Sequence, residues 1–222
     1  METQDAVQAK VRTPQQGRSK ASFERMLTTA EKLMAERGSD DFTLNEVARL
    51  GKVSIGSIYC RFDSKDDMVH AVQVRVLQRV DADMLLAIAR VREQRLPFAR
   101  FIALFVDRIA ESLRQFSAEM RPFMLRASND PVVASLGKGS YGRTATAVRD
   151  ALLDYRKSIR RPDPDRAVDV AFRMLYASLA RYLGFGSSSE AAGEGDWTQL
   201  KADLADMTLA YLRFTGEDAD DS

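Results

Sequence analysis

The stretch TLNEVARLGKVSIGSIYCRF, residues 43–62, holds two short apolar-patterned runs separated by only a few residues. Each run opens on a hydroxyl side chain. Thr43 has Glu46 three positions on, the spacing at which hydroxyl and carboxylate each satisfy the other's free backbone N–H. Phe42 and Val47 flank that start as a hydrophobic staple does, and Val53 with Ile58 repeat the pattern around Ser54, the cap of the second run. Gly51 and Lys52 make the turn between them. Phe62 and Asp63 close the second helix, and Ser64 with Asp67 opens another. Upstream, Phe23, Met26, Leu27, Ala30, Leu33 and Met34 recur at helical spacing until Gly38 ends the run. The pattern predicts a compact trihelical head followed by a long helix.

Helices this short bury little surface and make poor core material, but one can brace the other in a DNA major groove. The second carries suitable chemistry. Ser54 and Ser57 can hydrogen-bond phosphate or base edges, and Gly56 lets a DNA backbone come close. Tyr59 offers a hydroxyl at phosphate height, Arg61 supplies charge, and Lys65 stands in the first turn of the next helix, where free N–H groups also attract phosphate. For Tyr59 and Arg61 the alternatives are a half-buried aromatic and a solvated surface charge.

Outward from the head, Val69, Val72, Val76, Val80, Met84, Ile88 and Val91 form one stripe, with no Gly or Pro from residue 65 to 96. Such a helix is roughly 40 Å long, enough to enter a second domain. Pro97 suits the N1 position of a following helix striped by Phe98, Phe101, Ile102, Phe105, Ile109 and Leu113. Pro122 and Pro131 bracket a short helical connection, and Asp163-Pro164 opens a helix that is apolar around much of its circumference. Residues 184–196, GFGSSSEAAGEGD, read as a flexible loop. The last helix places Trp197, Leu200, Leu204, Met207, Tyr211 and Phe214 at spacings of 3, 4, 3, 4 and 3, an a/d seam. Residues 1–18 read as a flexible basic arm with Lys10, Arg12 and Arg18, and residues 217–222 as an acidic tail.

Composition narrows the function. Leu, Ala, Val, Met and Phe are plentiful and β-branched runs almost absent, which favours an all-α protein. Lys plus Arg number 33 against 32 Asp plus Glu, so a nucleic-acid site must be a local patch. The single cysteine, Cys60, and single histidine, His70, leave no material for a disulfide, a Cys- or His-rich metal site or histidine-based catalysis. Both read as packing or surface residues, Cys60 as a small filler. No apolar run is long enough to span a membrane, so no membrane is expected; no bound cofactor or metal is expected either, and the single cysteine fits a reducing, cytoplasmic setting. Gly137, Gly139 and Gly142 match the phosphate-cradling pattern G-x-G-x-x-G, and PVVASL before them has strand character. This is the one enzyme reading, a nucleotide-dependent one. It fails on the next element, because YRKSIRRPD stands where a second apolar strand should end.

Residues 43–65 resemble the helix-turn-helix of the TetR family of bacterial transcriptional regulators. The pattern is Val47-Ala48, Val53-Ser54, Gly56-Ser57-Ile58-Tyr59, Phe62 and Lys65, preceded by AEKLMAERG at 30–38, and the likeness covers roughly residues 19–79. It implies an all-helical homodimer whose N-terminal heads bind double-stranded palindromic operator DNA as a repressor. Its C-terminal domain, residues 80–216, would bind a small-molecule effector that lowers DNA affinity. By position, Thr43, Tyr59 and Lys65 match phosphate contacts, and Asn45, Ile55, Ser57 and Arg61 match positions that face bases. Val47, Ala48, Val53, Ile58 and Phe62 match the head's core. Two departures stand out. Gly51-Lys52 replaces the more common Ala-Gly, which asks Lys52 for a left-handed conformation, and Ile55 is apolar where a polar reader is common.

Phe101, Phe105, Met124, Tyr141, Phe172 and Tyr176 form the pool from which an effector cavity can be lined, or they are plain core. Leu175, Leu179 and Tyr182, with Leu200, Leu204, Met207 and Tyr211, are the expected subunit contact, a four-helix interface about a two-fold axis. The alternative is that both stripes face their own core. The expectation is therefore an all-α, non-enzymatic DNA-binding regulator, with an effector-independent regulator as the nearest rival.

Overall fold

A computed structural model describes residues 3, 4, 7, 17–185 and 192–215. Within them every regular element is helical. The order is α1 (Gly17–Arg37), α2 (Leu44–Leu50), α3 (Ile55–Tyr59), α4 (Lys65–Glu93), α5 (Phe98–Gln115), α6 (Ser117–Arg126), α7 (Pro131–Leu153), a 3-10 turn (Arg156–Ser158), α8 (Pro164–Tyr182) and α9 (Trp197–Arg213).

The chain forms two compact units. One comprises Met1–Arg79 with Phe116–Ser140, the other Val80–Gln115 with Tyr141–Ser222, so α4 and α7 each contribute to both. In the first unit α1 packs on α2 and α6, and α2 on α3. Met26, Ala30, Met34, Val47, Ile58, Phe62, Met68, Val69 and Val72 are among its buried side chains, and Phe23 stacks on Phe62 at 5.7 Å. Arg75 and Arg79 of α4 hold Glu24 and Glu31 of α1, at 3.1 Å for Arg75–Glu24 and 2.5 Å for Arg79–Glu31. In the second unit α9 packs against α5 and α8 around Phe101, Ile102, Phe105, Ile109, Leu152, Val168, Leu175, Leu179 and Leu212.

Helix starts follow their caps. Asp163 accepts from Arg166 N at 3.0 Å with Pro164 at the first position of α8, and Asp196 accepts from Gln199 N at 2.7 Å to begin α9. Ser64 Oγ accepts from Asp67 N at 3.1 Å at the head of α4. Pro97 precedes α5 instead of occupying its first turn, and its carbonyl accepts from Phe101 N at 2.9 Å. Pro122 lies inside α6 instead of bounding it, which deprives the carbonyl four residues back of its helical donor.

The glycine-rich stretch departs furthest from its motif. Gly137, Gly139 and Gly142 lie within α7, which is continuous from Pro131 to Leu153, and PVVASL is its first turns instead of a strand. A phosphate-cradling loop is therefore not built there. A Cβ added at Gly137 or Gly142 would meet nothing within 4 Å, so close helix approach is not their reason either.

At the N-terminus, Thr3, Gln4 and Val7 are helical, and the rest of the expected arm up to residue 16 lies outside the described residues, as do Arg18's side chain and the tail 217–222. Val7 is buried among Val74, Leu77 and Leu136, and Thr3 Oγ1 lies 2.9 Å from Ser135 Oγ. A solvated arm is thus not what these three residues form; one apolar residue in a polar segment gave no periodicity by which to foresee it. Of the expected loop 184–196, residues 186–191 are also outside the described set, while Gly184, Gly193 and Gly195 take positive φ.

Candidate nucleic-acid interface

The reading head is assembled from local hydrogen bonds first. Glu46 N donates to Thr43 Oγ1 at 3.1 Å and Thr43 N to Glu46 Oε2 at 2.8 Å, so both halves of the capping box are present. Arg37 at the end of α1 donates to Glu46 Oε1 at 2.7 Å. That bond, with the Thr43 amide, holds the Glu46 carboxyl down to about 2. Ser57 N donates to Ser54 Oγ at 3.1 Å, which caps the five-residue α3.

The turn between α2 and α3 divides its demands between two residues. Lys52 takes φ +50°, the left-handed conformation that its position required. Gly51 has ordinary φ of −77° and is needed for a different reason. A Cβ there would stand 2.8 Å from Val47 O and 3.0 Å from Thr29 Oγ1, so only glycine lets the turn lie on α1. Arg25 Nε donates to Gly51 O at 3.2 Å and fastens the same contact.

Burial then sorts the head into two faces. Val47, Ile58 and Phe62 are wholly buried, while none of the nine residues expected at DNA is. Thr43, Asn45, Ser54, Gly56 and Tyr59 are exposed, and Ile55, Ser57, Arg61 and Lys65 half-buried. Tyr59 is 55% exposed, unlike a core aromatic. Cys60 is exposed too, so it fills no core gap, because it follows α3 on the side away from Ile58. Ser57 Oγ rests 2.7 Å from Ser54 Oγ, and Arg61 Nη2 donates to Ser19 Oγ at 2.5 Å, so both readers are held in place from within the head. A Cβ on Gly56 would meet nothing within 4 Å, which leaves its face open. Lys52, exposed at the turn, adds a cation that residue spacing did not single out.

Lys65 lies 4.9 Å over the Phe42 ring and 3.6 Å from Asp40 Oδ2. Asp40 is also bound by Arg126 of α6, which reaches Asp66 at 2.6 Å and Asp130 at 2.9 Å. Burial opposes charge on Arg126, but the bonds to Asp66 and Asp130 outweigh it and raise its pKa. Asp130 likewise resists desolvation, since His70 Nε2 at 2.8 Å, Arg126 and the Val133 amide hold its carboxyl down to about 2. A cleft of about 570 Å³ opens over this cluster, bordered by Asp40, Asp66, His70, Arg126 and Asp130. Sequence reasoning missed it because Arg126 and Asp40 are 86 residues apart.

The residues pooled for an effector cavity fall into both units. Phe101 and Phe105 stack at 5.2 Å in the second unit's core, with Tyr155 4.5 Å from Phe101. On that same core Tyr141, Phe172 and Tyr176 form a trio with centroids 5.0–6.0 Å apart. Met124 belongs to the first unit. Among the residues expected at a subunit contact, Leu175, Leu179 and Leu204 are buried in the core of their own unit. An a/d spacing marks a face that must be covered without saying by which neighbour, and α5 covers it for α9. Tyr182, Leu200 and Tyr211 are half-buried, and Met207 is 60% exposed.

This architecture, two short capped helices on a helical head continued by α4, is that of a helix-turn-helix DNA-binding regulator. Residues 26–72 match the family model described as bacterial regulatory proteins, tetR family. No curated protein matches the sequence. Solved structures share the fold, three of them as follows. A protein described as a TetR-family transcriptional regulator from Mesorhizobium loti is 17% identical with a TM-score of 0.71, covering 89% of this chain and 98% of its own. Salmonella enterica GusR is 17% identical at 0.61, with 88% and 97% covered. The transcriptional regulator FadR from Bacillus subtilis, in complex with stearoyl-CoA, is 13% identical at 0.63, with 85% and 98% covered. Residues 26–72 thus carry a tetR-type head, and the described helices share the fold of these TetR-family regulators.

Proposed function

We propose that the protein is a repressor that binds a palindromic operator as a homodimer and is released by a small-molecule effector. The observation that carries the reading is the sorting of the head. Nine candidate contact residues are exposed or half-buried on its outer face, while Val47, Ile58 and Phe62 between them are buried. Thr43, Tyr59 and Lys65 contact phosphates and position the head. Asn45, Ile55, Ser57 and Arg61 face bases, with Ile55 suited to a thymine methyl group. Half-site spacing then requires two heads, and the outward faces of α8 and α9, where Met174 and Met207 are exposed, are the surfaces for pairing. The effector binds in the second unit beside the Tyr141–Phe172–Tyr176 trio, which combines apolar faces with two hydroxyl groups. The fold shared with a regulator solved in complex with stearoyl-CoA supports a ligand-binding role for this part of the chain.

Selection of a preferred duplex from random DNA, followed by titration of selected and random duplexes at one salt concentration, tests the reading. Lys65→Ala and Tyr59→Phe should weaken both duplexes alike. Ser57→Ala or Arg61→Ala should narrow the gap between them by about 1–3 kcal/mol. A loss of preference confined to Lys65→Ala would overturn the assignment of roles. For a true effector, operator must weaken effector binding by the factor by which effector weakens operator binding. Equal effector affinity with and without operator would refute release by that compound.

A further inference from the structure

We propose that Arg126, on α6 and outside the helix-turn-helix, is a positioning residue for DNA binding that neutralises Asp40 and so leaves Lys65 available to phosphate. This rests on the reading of Lys65 as a phosphate contact. The geometry that carries it is a shared oxygen. Asp40 Oδ2 accepts from Arg126 Nη1 and also lies 3.6 Å from Lys65 Nζ, the arginine being the closer partner. The other nitrogens of Arg126 hold Asp66 at 2.6 Å and Asp130 at 2.9 Å, which favours this orientation of the guanidinium. Asp130 is itself fixed by His70 at 2.8 Å and by the amides of Val132 at 3.0 Å and Val133 at 3.2 Å. The guanidinium is thus presented to Asp40 by a support built from α4, α6 and the first turn of α7. With a side chain only 15% exposed, it is little screened by solvent.

Charge balance gives the consequence. Three carboxylates, Asp40, Asp66 and Asp130, meet Arg126, Lys65 and His70. Without the guanidinium, Lys65 is the permanent cation left to Asp40, and the two close into a direct pair. Asp66, adjacent to Lys65 in sequence and 64% exposed, then stands uncompensated where phosphate should approach. Loss of Arg126 therefore removes one cation and turns a second inward. Because Arg126 is carried by α6, the placement of α6 sets the charge that the head offers to DNA.

The test uses the full-length chain and a random-sequence DNA duplex titrated over a series of salt concentrations. Arg126→Ala should weaken binding about tenfold and reduce the log–log salt slope by about one, as Lys65→Ala does. The double variant with both substitutions should bind less weakly than the product of the two single losses, because part of the Arg126 effect acts through Lys65. Adding Asp40→Asn to Arg126→Ala should restore most of the affinity, and Asp40→Asn alone should keep or raise it. Wild-type affinity in Arg126→Ala would overturn the proposal. So would a failure of Asp40→Asn to restore binding in a double variant that melts normally, since that marks a merely structural role. If Arg126→Ala does not fold, weakened binding by Asp40→Asn alone is the overturning result. Wild-type protein that binds no duplex at all would refute the DNA-binding reading itself and take this proposal with it.

Discussion

Adjacent residues in the turn of the head should respond to substitution with opposite signs. In Gly51→Ala the new methyl group would stand 2.8 Å from Val47 O and 3.0 Å from Thr29 Oγ1, with Arg25 O at 3.5 Å. The closest of these, Val47 O, is a backbone atom of α2 itself, so the turn must shift against both α2 and α1 by several tenths of an ångström. It would strain the Arg25–Gly51 hydrogen bond of 3.2 Å as it does so. Overpacking of this kind costs about 1–3 kcal/mol, against roughly 0.4–1 kcal/mol gained by restricting the unfolded chain. A net loss of about 1–2 kcal/mol is expected. Lys52→Gly should do the reverse. Relief of the left-handed conformation at φ +50° is worth about 1–2 kcal/mol, opposed by roughly 0.4–1 kcal/mol of added unfolded-state entropy. The net is a gain of about 0.5–1 kcal/mol. The single tryptophan, Trp197, lies in the other unit, so its fluorescence would miss the head. Hydrogen exchange at amides of α1 and α2 reads the head directly, since each kilocalorie changes protection about fivefold. Unchanged protection in Gly51→Ala, or faster exchange in Lys52→Gly, would refute the division of labour in this turn.

Gly56→Ala should stabilise α3 by about 0.5–1 kcal/mol, because nothing lies within 4 Å of the added methyl, yet weaken DNA binding if the phosphate backbone approaches there; a melt and a duplex titration on the same sample separate the two effects. Met207→Glu, on an exposed face, should leave the fold intact and yield monomers by light scattering, whereas Leu204→Glu buries an unpaired charge and should give poorly folded protein. A stable Met207→Glu dimer would place the subunit contact elsewhere. Asp130 has its carboxyl lowered from 3.8 to about 2, so its contribution to stability is full above about pH 4 and disappears as pH falls through 2. Urea midpoints across that range should show the advantage of wild type over Asp130→Asn shrinking as the solution is acidified.

Much of the head was legible because its determinants are local. A capping box joins residues three apart, a staple residues five apart, and a left-handed turn residue is called for by its immediate neighbours. Hence the pairs Thr43 with Glu46 and Ser64 with Asp67, Ser54 as the cap of α3, and the conformation of Lys52 were all readable from local spacing. The family match at residues 26–72 falls on the same segment.

What the sequence by itself determined is therefore most of the helices and their starts, and the placing of Val47, Ile58 and Phe62 in the core of the head, though not of Ala48, Val53 or Cys60. Tertiary structure alone decided what covers each apolar stripe. Spacing makes a seam of Leu200, Leu204, Met207 and Tyr211, but the neighbouring α5 turns Leu204 into core and leaves Met207 outside. The aromatic residues of the pool share one core while Met124 lies in the other unit, since helical phase places residues on a face without saying what they pack against. Gly137, Gly139 and Gly142 were drawn into α7, because a helix with neighbours can absorb about 1 kcal/mol per glycine that an isolated segment cannot. Arg126 and Asp40, 86 residues apart, meet only once α1 and α6 have packed. Such a pair leaves no trace in local spacing, because its energy depends on distance in space and not along the chain.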